Sequence, residues 1–266
     1  MYNVTYHRAS SVDDAVKLIG DADDGRFVSG GMTLIPAMKI RLSAPSDLVD
    51  LTHISGLKGI RVDGRNVHIG AATTHADVAA SGELAAVCPA LTDLAALNGD
   101  PAVRHRGTIG GSIANNDPAA DYPAALVALG ATIATNKREI AAEEFFTGLF
   151  ETALDDGEMV TAVTFTAPER AGYEKFRNPA SRYAIVGVFV AKAGDGVRAA
   201  VTGAGEDGVF RSREIEAALG NSLDVSKLDG VTIPSGGLMS DIHASADYRA
   251  NLVKVMAKRA VAKALA

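Results

Sequence analysis

The chain has 266 residues, a formal net charge of −6, a single cysteine and no tryptophan, with 47% hydrophobic and 22% charged residues. That length supports one large or two modest domains without a disulfide or metal staple. Basic residues are scattered singly, which argues against a nucleic-acid partner. The lone Cys88 cannot supply an iron–sulfur or zinc site, and the six histidines show no HExxH pattern, so no metal site is expected on this chain.

The start, MYNVTYHRAS, has no charged-then-apolar leader pattern. No apolar run reaches the ~20 residues of a membrane span, and a cytoplasmic address is expected. Ser11, Asp13 and Asp14 predict a capped helix running to about Ile19. Arg26 to Val28 reads as a short strand ending at Gly30-Gly31, followed by a helix from Thr33 with Pro36 in its first turn. Asp47 to Leu51 is a further strand. Ile60, Val62, Val67 and Ile69 alternate around Asp63-Gly64 and predict a hairpin. Thr74 to Asp77 is a capping box, and residues 85–97 are helical by apolar spacing. A glycine-rich segment, 107–115, precedes a helix at Ala124 to Leu129. Strands follow at 131–135 and 158–166. Pro168 to Gly172 reads as a linker. Beyond it, three strands are expected near 173–177, 184–193 and 197–203, then helices at 212–219 and about 247–265. This is an α+β pattern with a boundary near residue 170.

Two segments carry chemistry. Ser29-Gly30-Gly31-Met32-Thr33 runs from a strand through two glycines into a helix. It is either a tight turn or a backbone nest for an anion such as pyrophosphate. Thr108-Ile109-Gly110-Gly111-Ser112 concentrates hydroxyls beside glycines and is either a turn or a second part of the same site. A side chain at Gly31 or Gly110 is expected to remove a bound cofactor before it disturbs folding. The next polar run contains Asp117 and Asp121, each of which can cap the following helix or accept from ribose or ribityl hydroxyls.

Gly203-Ala204-Gly205-Glu206-Asp207-Gly208 matches G-x-G-x-x-G, but its helix signal begins only at Ser212. It therefore reads as a hairpin or connecting loop rather than a dinucleotide fingerprint. Cys88 reads as a small buried hydrophobe. His75 reads as a surface histidine, with a ligand-facing role as the alternative. No catalytic acid–base or nucleophile set is evident.

The stretches FVSGGMTLIP (27–36), IGAATTHADVAAS (69–81), DPAVRHRGTIGGSIANNDPAADYPAAL (100–126) and YEKFRNPASRYAIVGV (173–188) together resemble the medium, FAD-binding subunits of the xanthine dehydrogenase and aerobic carbon monoxide dehydrogenase family. The resemblance covers essentially the whole chain. It implies a two-lobed FAD-binding domain of the vanillyl-alcohol-oxidase (PCMH) type over 1–170, with lobes of about 1–57 and 58–170. A small C-terminal domain with a three-stranded antiparallel sheet and helices would occupy 171–266.

It also implies that Ser29, Gly30, Gly31, Met32 and Thr33 hold the pyrophosphate, and that Thr108, Ile109, Gly110, Gly111 and Ser112 form a second FAD-binding loop. Asp121 matches an aspartate that hydrogen-bonds the cofactor. Tyr183 matches a tyrosine beside the flavin ring, and Arg177 a basic residue near it. Met32-Thr33 and Ser112 depart from the side chains common in relatives at those positions.

The implied function is electron transfer. Non-covalent FAD would take electrons from [2Fe–2S] clusters in a small subunit and pass them to an external acceptor. Substrate would be oxidised at a molybdenum cofactor in a large subunit, within a dimer of heterotrimers. The alternative is a stand-alone flavoprotein oxidase or reductase with its own substrate.

Overall fold

The computed structural model describes residues 1–194 and 196–266. The N-terminal part is a three-stranded parallel sheet of β1 (Thr5–Arg8), β2 (Gly25–Val28) and β3 (Asp47–Asp50), with β3 in the middle. Two helices cross between these strands: α1 (Val12–Gly20), capped by the Ser11 hydroxyl, and α2 (Leu34–Lys39).

The chain then enters the hairpin β4 (Ile60–Asp63) and β5 (Asn66–Gly70). Five helices follow: α3 (His75–Ala80), α4 (Gly82–Val87), α5 (Pro89–Ala96), α6 (Pro101–Arg106) and α7 (Ile109–Asn115). The helix expected over 85–97 is two helices, because Cys88 leaves helical geometry (φ −151°) and Pro89 starts the next one. The sulfur of Cys88 is buried, which pushes its thiol up to about 12.

Helix α8 (Tyr122–Leu129) has almost no polar face and is buried on nearly all sides, as expected of an apolar helix at the centre of a core. Next come β6 (Thr132–Thr135), β7 (Glu139–Ala141), a short helix α9 (Ala142–Phe145), the small pair β8 (Phe146–Gly148) and β9 (Glu151–Thr152), and finally β10 (Val160–Thr166). The sheet order is β4-β5-β10-β6-β7, so the last strand of this unit closes it through its centre.

The C-terminal part is an antiparallel sheet of β11 (Arg170–Arg177), β12 (Ala184–Ala193), β13 (Gly196–Gly205) and β14 (Gly208–Arg211), with α10 (Arg213–Leu219) and the long α11 (Ala246–Leu265) against it. It has four strands, not the three read from the sequence. The G-x-G-x-x-G segment turns the β13–β14 hairpin, with Gly205 paired to Gly208. The linker is also shorter than expected, because β11 already begins at Arg170.

One hydrophobic core includes α8 and both larger sheets, with Tyr173, Phe189 and Ala200 of the C-terminal sheet packed among residues of the middle unit. A second core lies between the C-terminal sheet and α11. There, a β-carbon on Gly172 would sit 2.0 Å from the Ala260 carbonyl oxygen. Gly172→Val should therefore cost about 3 kcal/mol, the upper end of overpacking penalties. A thermal melt that matches wild type would refute this close packing of α11 on β11.

Candidate functional site

A cavity of about 830 Å³ lies between the N-terminal sheet, the helical middle unit and the β11–β12 hairpin. That volume is in the upper range for ligand pockets. Its wall is built from both glycine segments, and each glycine has its own reason to be there.

Gly30 lies against the 106–107 backbone, where a β-carbon would be 2.1 Å from the Arg106 carbonyl oxygen. Gly31 has φ +68°, a left-handed geometry that disfavours side chains. The backbone amides of Gly30, Gly31, Met32 and Thr33 donate to no protein acceptor among the described residues. Four consecutive unpaired amides around a left-handed glycine form a concave donor array of the kind that binds anions. Ser29 and Thr108 join the two segments through a 3.2 Å hydroxyl contact.

The second segment is not a loop. Thr108 is the N-cap of α7 and its hydroxyl accepts from Gly111 N at 3.2 Å. The amides of Ile109 and Gly110 are used internally, donating to Thr73 O at 3.1 Å and Ala71 O at 2.8 Å. Gly110 is held against Ala71, whose carbonyl oxygen a β-carbon would meet at 2.7 Å. Ile109 is fully buried in the core and does not line the cavity. Only Gly111 faces open space: an added β-carbon would meet nothing within 4 Å except the Thr108 hydroxyl at 3.0 Å. Ser112 also lines the cavity.

Asp121 occupies the N-cap position of α8 without capping it. It is buried, accepts from the Tyr173 hydroxyl, and lies 2.7 Å from Lys175 Nζ. Burial pushes its carboxyl up, while the Lys175 ammonium pulls it back. Asp117 does not cap α8 either; it accepts from Ala119 N at 2.9 Å in a turn. The run holding both aspartates is fastened to β13, since the Thr202 hydroxyl donates to Ala120 O at 2.6 Å.

Tyr183 is half exposed and lines the cavity from the β11–β12 hairpin. Asn178 closes that hairpin through its backbone N–H to Tyr183 O at 2.8 Å and its side chain to Ala180 N at 2.9 Å. Arg177 is not part of the cavity wall. Met32 and Thr33 do line it.

Among the polar wall residues, Lys175 and Asn98 carry no cue in the sequence reading, and His75 reads there as a surface histidine with a ligand-facing role as the alternative. His75 is buried, not on the surface, with Nδ1 3.3 Å from the Tyr122 hydroxyl. Desolvation lowers it to about 4, so it is neutral at physiological pH. Its cue was the Thr74 cap, which places the next side chain against the 107–108 backbone, where Thr74 bridges Thr108.

These features define a cleft with an anion-binding array of amides on one wall. The family model for the FAD binding domain in molybdopterin dehydrogenase matches residues 2–168. The carbon monoxide dehydrogenase medium chain of Afipia carboxidovorans is 36% identical over 98% of this chain and 96% of its own length. The 6-hydroxypseudooxynicotine dehydrogenase complex subunit alpha of Paenarthrobacter nicotinovorans is 33% identical over 98% and 94%. A chain of reconstituted CO dehydrogenase from Oligotropha carboxidovorans superposes with a TM-score of 0.88 at 34% identity, covering 99% of this chain and 98% of that one. The chain therefore belongs to the FAD-binding medium-subunit family of the molybdenum hydroxylases, and it is an oxidoreductase subunit. Among the described residues no helix is long and apolar enough to cross a membrane.

Proposed function

We propose that this chain carries non-covalent FAD in the cleft, takes electrons from [2Fe–2S] clusters on a small partner subunit and delivers them to an external acceptor. Bound FAD supplies two-electron redox chemistry, while the protein binds, orients and tunes it. The observation that carries the reading is the array of unpaired amides at Gly30 to Thr33 beside a cavity of matching size. Ser29, Thr33, Thr108 and Ser112 add hydroxyls for the pyrophosphate and ribityl chain. Gly111 leaves room for it.

Asp121 would accept from the cofactor through the lone pairs that Tyr173 and Lys175 leave free. Tyr183 would cover the flavin face. Ile109 contributes packing, and Arg177 acts through its charge alone. Attachment is non-covalent because Cys88 lies in the core and the nitrogens of His75 face Tyr122 and Gly107.

The FAD domain would end near residue 170, where the middle sheet gives way to the C-terminal one. Substrate oxidation would take place at a molybdenum cofactor on a large subunit. Three kinds of chain would pair about a two-fold axis, in the cytoplasm. The names of the relatives span carbon monoxide and 6-hydroxypseudooxynicotine, which supports a substrate set outside this chain.

Coexpression with neighbouring genes should give one complex in which flavin, iron and molybdenum coelute, and acid precipitation should release all the FAD. A flavin-containing chain that oxidises substrate at full rate without iron or molybdenum would refute the proposal. So would flavin retained in the precipitate.

A further inference from the structure

One wall of the cavity is polar yet almost completely buried. The side chains of Lys175 and Asp121 are 1% and 4% exposed, although both line the cavity. Behind them the Tyr173 hydroxyl donates to the carboxylate. Lys175 Nζ also donates to Leu97 O at 3.1 Å, at the C-terminal end of α5. Next along the chain, the Asn98 Nδ2 group is buried, with the Tyr122 hydroxyl nearby but no acceptor at full hydrogen-bond distance among the described residues.

Packing alone does not call for this arrangement, because a buried ion pair is no more stabilising than apolar residues of similar volume. An ammonium has three protons. Two are taken, by Asp121 and by Leu97, and the third has no partner among the described residues. Buried donor capacity without acceptors costs free energy, and both residues that carry it here line the cavity, which suits a ligand with acceptors.

We propose that Lys175, held in place by Asp121, is a positioning residue for the flavin: its free ammonium proton, together with Asn98 Nδ2, donates to carbonyl or ring-nitrogen acceptors of the flavin head, and its fixed charge favours the reduced form. This rests on the FAD reading above. Reduction adds negative charge to the flavin, and a fixed cation beside the ring stabilises that charge, more so where water is excluded. Asp121 keeps the ammonium in register and leaves the pair nearly neutral in the empty protein.

The test compares Asp121→Asn with Asp121→Asn/Lys175→Met in the assembled complex. Asp121→Asn leaves the ammonium an amide oxygen and the Leu97 carbonyl in place of its carboxylate, and the double variant leaves no charge at either position. FAD affinity is read by flavin fluorescence, and the midpoint potential of the bound FAD by equilibration with a reference dye. Adding Lys175→Met to the Asp121→Asn variant should weaken FAD binding tenfold or more. It should weaken binding of reduced FAD a further tenfold, making the potential about 30 mV more negative.

Equal affinity and equal potential in the two variants would overturn the proposal. So would loss of folding in the double variant alone, which would assign Lys175 to capping the Leu97 carbonyl. A wild-type complex that carries no FAD would instead overturn the function proposed above.

Discussion

Gly111→Val is expected to yield a folded protein that no longer retains FAD, and Gly110→Val a protein that does not fold. The two glycines are neighbours in the first turn of α7, but an added β-carbon would meet different surroundings at each. A β-carbon on Gly110 would lie 2.6 Å from the Ala71 β-carbon and 2.7 Å from its carbonyl oxygen. That carbonyl accepts the Gly110 amide at 2.8 Å, so α7 cannot back away without losing the bond. Overpacking of this kind against backbone costs about 3 kcal/mol or more. A lost buried hydrogen bond adds about 1–3 kcal/mol. Together these consume much of a net stability of about 5–15 kcal/mol.

On Gly111 the added carbon meets only the Thr108 hydroxyl, at 3.0 Å, and otherwise enters the cavity. Helix formation itself gains slightly when glycine is replaced. FAD affinity should fall at least 100-fold, about 3 kcal/mol, while the apoprotein melts within a few degrees of wild type. A Gly111→Val complex with full flavin occupancy would move the cofactor away from α7. A folded Gly110→Val protein would disprove the packing described for Ala71. Gly110 lines the cavity as expected from sequence, and its contact with Ala71 gives it a packing role as well. All four glycines of the two segments line the cavity, but Gly30 and Gly110 let the chain approach itself, Gly31 supplies the left-handed turn, and an added β-carbon would find space only at Gly111.

Local signals in the sequence were reliable. The alternation of Ile60, Val62, Val67 and Ile69 became the β4–β5 hairpin, with Val62 opposite Val67 and the turn one residue later than expected, at Gly64-Arg65. Ser11 and Thr74 cap the helices they introduce. The glycines of 107–115 suggest a turn or a binding loop and mask a quieter cue for helix: Ile109 and Ile113 are spaced for one helical face, and both are fully buried. Short β14 was hidden because only Val209 and Phe210 mark it, and its pairing is interrupted.

The cavity wall was legible only where its residues lie within one segment. Lys175 and Asp121 are 54 residues apart, and neither has a local pattern that predicts the other. Asn98 sits past the end of α5 for no reason that periodicity reveals. Such contacts depend on how β11 docks against α5 and α8, which is a property of the assembled core rather than of any window of sequence.

The cleft should come apart in acid, and His75 should be a principal cause. Residues 71–75 clamp residues 107–110 through Gly110 N to Ala71 O, Ile109 N to Thr73 O and His75 N to Gly107 O, at 2.8, 3.1 and 2.9 Å. The His75 ring completes the clamp beneath Gly107, where a β-carbon would be 2.7 Å from Nε2, and packs beside Tyr122 with ring centroids 5.3 Å apart. Burial lowers the imidazole from 6.5 to about 4, and the nearby Arg104 charge adds to the effect. The unfolded chain therefore binds the proton more readily than the folded one. The contribution to stability is whole above about pH 6.5 and declines as pH falls towards about 4. A shift of that size corresponds to about 3 kcal/mol. In a series from pH 7.5 to 4.5 at fixed free FAD, wild-type protein should lose flavin and melting temperature together, with most of the loss below pH 6. In His75→Gln, which has no proton to take up at this position, both curves should be flatter even if the starting stability is lower. Parallel curves for the two proteins would show that acid acts elsewhere and that the His75 ring is not held neutral by its burial.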